Sequence, residues 1–111
     1  MTAKPIPLRR PMVADDRASE LADLFRLLGD ATRLKIVLAC LDESVAVGDI
    51  AARLGLSGSL VSHHLRLLRA AAIVRAERHG KQVFYAAADE HVRRVIADML
   101  EHVSEPRGEE P

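Results

Sequence analysis

Gly55 and Ser57 separate two apolar repeats of helical period, and this short break constrains the fold more than any other feature of the chain. Before it, Val47, Ile50, Ala51 and Leu54 recur at helical spacing; after it come Leu60, Val61, Leu65 and Leu68, on a helix expected to run to about residue 71. A glycine that stops one short helix and a serine hydroxyl that caps the next are the pattern of a helix-turn-helix. Residues 73–77 and 82–86 then read as two short strands around Arg78-His79-Gly80-Lys81, which predicts a β-hairpin with a basic tip. Upstream, Leu21, Leu24, Phe25 and Leu28 form one helical stripe closed by Gly29, and Asp30 caps a second stripe of Leu34, Val37, Leu38 and Leu41. A last helix, capped by Asp89 and spanning about 90–103, carries Val92, Val95, Ile96, Met99, Leu100 and Val103 on one side. The order α-α-α-α-β-β-α predicts a mainly α winged helix-turn-helix with an extra helix at each end. The folded domain is placed at 15–105, between a flexible arm at 1–14 and a flexible tail at 106–111.

Composition supports this reading. Of 111 residues, 49% are apolar and 29% charged, enough for one core. Phe25, Phe84 and Tyr85 are the whole aromatic complement, too few for a sandwich or barrel. No run approaches the roughly 18 apolar residues of a membrane span, and no apolar segment follows the basic N-terminus as in a signal peptide. Cys40 is the single cysteine, so no internal disulfide forms. A cytoplasmic address without a membrane partner follows as the expectation.

The zero net charge conceals a segregation. Residues 53–81 hold Arg53, Arg66, Arg69, Arg75, Arg78 and Lys81 against one acid, Glu77, whereas residues 89–110 hold seven acids and three bases. A basic block on a helix-turn-helix and hairpin predicts double-stranded DNA as partner. On the helix after Ser57, the side opposite the core stripe carries Ser59, Ser62, His63, Arg66 and Arg69. Small hydroxyls let the backbone approach DNA, and arginines reach phosphates or guanine edges. Ser57, at the helix N-terminus, and Arg75, Arg78, His79 and Lys81, on the hairpin, complete the expected contact set. His64 lies beside Leu60 and Leu68 and suits either packing or DNA contact.

The last helix carries Asp89, His91, His102 and Glu105. His91 and His102 are 11 residues apart, about 1,100° around the helix, and so share a face; they are also about 16 Å apart along it, too far for one ion. Two antiparallel copies of the helix, packed through the Val92–Val103 stripe and crossing near Ile96 and Ala97, would set His91 against His102 of the partner subunit. Asp89 would likewise approach Glu105 of the partner subunit. Two imidazoles and two carboxylates at each end suit a closed, tetrahedral Zn(II) site of regulatory rather than catalytic kind. The same stripe predicts a homodimer, and the absence of an evident open coordination position or general base argues against an enzyme.

These residues resemble the ArsR/SmtB family of bacterial winged-helix metal-sensing repressors over about residues 17–105. The likeness rests on residues 28–37 (LGDATRLKIV), 56–69 (LSGSLVSHHLRLLR) and 80–85 (GKQVFY). Asp-x-His, ten residues, then His-x-x-Glu is similar to the last-helix site of the family's zinc and cobalt sensors, with Asp89, His91, His102 and Glu105 in register. The resemblance implies a repressor released from its operator by metal, through a hydrogen bond from the non-liganding nitrogen of His102 to a backbone carbonyl near Ala72. The family's arsenic, cadmium and lead sensors carry a cysteine pair on the third helix, where this chain has Ala46 and Gly48. Its redox sensors use paired cysteines, and its nickel sensors tend to add terminal histidines absent here. Zinc is therefore favoured, with cobalt or nickel next; a winged-helix repressor without a metal response is the alternative.

Overall fold

The computed structural model describes residues 14–106 and contains five helices and a three-stranded antiparallel sheet. The expected arm and tail lie, except for Ala14 and Pro106, outside the described residues. Helix α1 (Asp15–Leu28) leads through Gly29 to α2 (Ala31–Ala39), whose cap Asp30 accepts the Arg33 amide at 2.9 Å. Helix α3 (Val47–Leu54) ends on Gly55 in the left-handed region, φ 68°, where glycine carries no steric penalty. Two residues later the Ser57 hydroxyl accepts the Leu60 amide at 3.1 Å and starts α4 (Gly58–Ala70). Helix α5 (Glu90–Ser104) begins where Asp89 Oδ1 accepts the Val92 amide at 2.9 Å. The winged helix-turn-helix expected from the sequence is the observed fold.

The hairpin is longer and tighter than its composition suggests. Strands β2 (Val74–His79) and β3 (Gln82–Ala87) pair through His79 and Gln82, leaving a two-residue turn opened by Gly80 at φ 65°. Arg78 and His79 read as turn residues because they are polar, yet their backbones continue the ladder. A third strand, β1 (Val45–Ala46), was not anticipated. It pairs with the free edge of β3, Val45 opposite Tyr85 and Ala46 opposite Phe84, to give the order β1-β3-β2. Two residues are too few for an alternating pattern to register, and only the neighbouring edge makes them a strand.

The core lies between α2, α3, α4 and the sheet, with Ile36, Val37, Ile50, Val61, Leu65, Leu68 and Val74 fully buried or nearly so. On α2 the buried arc is Ile36, Val37 and Cys40, while Leu34 and Leu38 from the expected stripe are half-buried. The terminal helices differ. No residue of α1 is buried and only Ile96 of α5 is, so Leu21, Phe25, Val95, Met99, Leu100 and Val103 face outward.

Ala72, between α4 and β2, has φ 61°, the one positive φ outside glycine among the described residues. It is held there because the Ile73 amide donates to the Leu68 carbonyl at 2.9 Å and the Ala72 amide to the Arg69 carbonyl at 2.9 Å, closing the end of α4. A left-handed alanine costs about 1–2 kcal/mol, and glycine gives back roughly half of that gain in chain entropy. Ala72→Gly is therefore expected to stabilise the domain by about 0.5–1 kcal/mol, measured as a raised urea midpoint with unchanged slope.

Candidate nucleic-acid interface and metal half-sites

The exposed side of α4 is centred on Ser59, His63 and Arg66, with Arg69 exposed and Ser62 half-buried at its edge. Ser57 is exposed, but its hydroxyl is engaged as the helix cap. Leu60 departs from the expected division, and His64 takes the packed one of its two expected placements rather than the DNA-contacting one. Leu60, expected in the core, is 40% exposed, and His64 is 9% exposed. At about 100° per residue the buried arc of α4 is centred on Val61, His64, Leu65 and Leu68, and Leu60 falls about 90° from its centre. His64 occupies the inward position assigned to Leu60 and is not on the face shared by the other candidates.

His64 is satisfied there by Arg33 of α2. Arg33 Nε donates to His64 Nδ1 at 3.2 Å, and Nη1 of the same guanidinium donates to the Leu27 carbonyl at 3.1 Å. Burial first, and the Arg33 charge second, hold the His64 imidazole below its ordinary value. Arg33, being charged, does not stand out in an apolar pattern. Its spacing was the available signal, since Arg33, Ile36, Val37 and Cys40 follow one helical face.

On the hairpin, Arg78, His79 and Lys81 are exposed towards the tip. Arg75 sits at the root, beside α5, in a cleft it shares with Asp42, Asp89, Glu90 and Arg93. It pairs with Glu77, which also bonds His79 Nε2 at 3.3 Å and the Ser44 hydroxyl at 3.4 Å. These contacts, Arg75 foremost, hold the Glu77 carboxyl below the usual range. The His79 ring meets Phe84 edge-on at 5.0 Å. The one acid of the basic block thus braces the wing, and Arg75 lies farther from the tip than its neighbours.

Helix α5 carries the other candidate set at its two ends. Asp89 and His91 stand together at the N-terminal end, His91 Nδ1 being 3.7 Å from Asp89 Oδ1. His91 is 96% exposed. His102 and Glu105 are exposed at the C-terminal end, where the Glu105 amide donates to the His102 carbonyl at 3.3 Å. Among the described residues of a single chain, no three ligand-type side chains gather at one point. Each end offers one imidazole and one carboxylate. Asp89 keeps Oδ2 beyond its capping bond, so its two roles are compatible. Between the ends, Leu21, Leu24, Phe25 and Leu28 of α1 meet Val92, Val95 and Ile96 of α5 in a wholly apolar groove with His91 at its rim.

Residues 30–76, covering α2 to the start of the wing, match the model of the bacterial regulatory protein, arsR family. A transcriptional repressor SmtB homolog from Synechocystis sp. is 37% identical over 90 residues, 81% of this chain and 68% of that protein. The chain belongs to the ArsR family. This ArsR-family chain also resembles the solution structure of the cadmium metal-sensor CmtR from Mycobacterium tuberculosis, with 41% identity, a TM-score of 0.64 and coverage of 81% of this chain and 94% of that one. The homodimeric winged helix-turn-helix DNA-binding domain of a possible ArsR-family regulator from Mycobacterium bovis is 27% identical with a TM-score of 0.69, covering 86% and 97% of the two chains. The protein is thus a DNA-binding transcriptional regulator and not an enzyme. No helix among the described residues is long and apolar enough to cross a membrane.

Proposed function

We propose that the protein is a homodimeric repressor that leaves its operator when Zn(II) binds between the paired α5 helices. The observation that carries this reading is the arrangement on α5. Two half-sites of one imidazole and one carboxylate lie at opposite ends of a helix whose intervening stripe, Val95, Met99 and Val103, is left uncovered by its own chain. Burying that stripe against a second copy is favourable at about 25 cal/mol per Å², and α1 adds Leu21 and Phe25 to the same surface. An antiparallel pairing joins unlike halves, Asp89 and His91 with His102 and Glu105 of the partner subunit, into a four-ligand nitrogen and oxygen set.

That donor chemistry suits zinc, with cobalt or nickel as alternatives within the same mechanism. Cadmium, which the CmtR relative is described as sensing, is a softer ion. The one thiol here, Cys40, is buried, and burial pushes it up to about 11, so it offers no thiolate at neutral pH. The DNA-contacting set is proposed as Ser59, Ser62, His63, Arg66 and Arg69 on α4 with Arg78, His79 and Lys81 on the wing; Ser57 shapes the helix start and Arg75 contributes from the wing's root. In the release step, His102 would orient through its second nitrogen on a backbone carbonyl near Ala72, the strained turn after α4. Linkage requires that DNA weaken zinc binding by the factor that zinc weakens DNA binding.

Operator affinity, measured by fluorescence anisotropy with and without saturating zinc, tests the proposal. Arg66→Ala is expected to weaken metal-free binding by roughly 1–3 kcal/mol, five- to 150-fold. Glu105→Gln is expected to need more zinc but to release fully once saturated, whereas His102→Gln saturated with zinc should remain on DNA. A wild-type protein whose operator affinity is unchanged by zinc, cobalt and nickel would leave a winged-helix repressor without metal response. Equal, complete release by both variants would remove the His102 route alone.

A further inference from the structure

His64 is the one buried polar side chain among the described residues, and it lies in the middle of the helix proposed to read DNA. An arginine can only donate, so His64 Nδ1 must accept from Arg33 Nε, and the imidazole proton resides on Nε2. The Leu27 carbonyl that takes Arg33 Nη1 belongs to the last turn of α1, where carbonyls lack a partner within the helix. The Arg33 amide is in turn fixed by Asp30. One guanidinium therefore ties the end of α1, the first turn of α2 and the centre of α4. Apolar packing through Val61, Leu65 and Leu68 holds α4 against the core but is not directional; the hydrogen bonds through Arg33 are. On one side of this tie lies the exposed apolar face of α1, on the other Ser59, His63 and Arg66.

We propose that Arg33 and His64 form a positioning pair that sets the angle of α4 against α1, and that operator affinity falls when the pair opens. This rests on α4 being the DNA-reading helix. Adding a proton to Nδ1 would oppose two N–H donors and two positive charges across a 3.2 Å contact, so acid opens the pair. The charged groups acting on His64 are Arg33 and Asp30, from α2 and its cap, and His63 on its own helix; from α1 the uncharged Leu27 carbonyl is reached through Arg33. Because the folded-state value lies below the ordinary imidazole value of about 6.5, the pair's contribution is complete above that pH. It is lost as pH falls through the depressed value. His63 and His79 are exposed imidazoles in the proposed DNA-contacting set, so the test removes both.

The test uses the full-length dimer in EDTA with His63→Gln and His79→Gln in the background, and a duplex selected from a random pool at pH 7.5. With His64 intact, affinity should fall as pH drops below the ordinary imidazole value of about 6.5. His64→Gln, whose amide oxygen still accepts from Arg33 and does not titrate, should bind within threefold at pH 7.5 and lose the acid-dependent fall. His64→Leu and Arg33→Met should bind about two- to thirtyfold more weakly at pH 7.5, with no fall of their own. The proposal is overturned if His64→Leu matches His64 at pH 7.5, or if the fall persists in His64→Gln. Should His64→Leu fail to fold, the His64→Gln profile decides alone. Failure to select any duplex would instead bring down the DNA-reading role of α4, and this proposal with it.

Discussion

A heterodimer assembled from two complementary mutants is expected to hold one zinc ion tightly, whereas either mutant as a homodimer holds none with comparable affinity. One chain carries Asp89→Asn and His91→Ala, the other His102→Ala and Glu105→Ala. If each site joins the N-terminal end of one α5 to the C-terminal end of the other, the heterodimer concentrates all four losses in one site and leaves the second with all four ligands. Both homodimers keep two ligands per site. Four-ligand structural zinc sites are worth roughly 10–16 kcal/mol, so losing half of the donors removes several kcal/mol and the contrast is large. Asparagine is chosen at position 89 because Asp89 caps α5, and Asn caps about as well as Asp. An alanine there would add about 1 kcal/mol of helix destabilisation to the metal effect. Isothermal titration of doubly tagged heterodimer supplies the stoichiometry. A heterodimer that binds no better than its parents rules out the antiparallel exchange of half-sites.

Leu68→Ala is expected to destabilise the domain by about 2–5 kcal/mol, while Leu60→Ala, on the same helix, costs less than about 1 kcal/mol. Leu68 has no exposed surface and sits where α4 meets the core formed by α2, α3 and the sheet. Its truncation removes apolar contact and leaves a cavity that the close-packed surroundings fill only partly. Leu60 is already 40% in water, so its truncation opens no cavity. Against a total stability of roughly 5–15 kcal/mol, the first change consumes a large share and the second little. Urea unfolding at fixed protein concentration measures both, since dimerisation makes the midpoint concentration-dependent. Equal losses for the two variants would contradict the placement of Leu60 at the edge of the buried arc.

The helix-turn-helix, the caps at Asp30, Ser57 and Asp89 and the glycine turns at Gly55 and Gly80 were legible in the chain itself. These are local devices: a side-chain oxygen meets an amide three residues on, or a glycine takes a positive φ, within a few residues of one another. The register of Asp89, His91, His102 and Glu105 was legible for the same reason, because a helix converts spacing directly into position. Three features needed the tertiary structure. Val45 and Ala46 became a strand only because the edge of β3 lay beside them. Of the two placements open to His64, packing rather than DNA contact is realised because Arg33, 31 residues earlier, brings a hydrogen-bond donor into the core, and a satisfied imidazole can then be buried where an unsatisfied one would be costly, while Leu60 is left at the edge. Arg75 and His79 were both read as part of a basic surface, but β2 sets Arg75 at the root beside α5 and His79 near the tip, with Glu77 braced between them. Helical period and caps depend on neighbours in the chain, so the helices, the hairpin and the spacing of Asp89, His91, His102 and Glu105 along α5 follow from the amino-acid order alone. Burial and partnership depend on residues distant in the chain, so only the folded arrangement decided which polar side chains face outward and which hold the helices together.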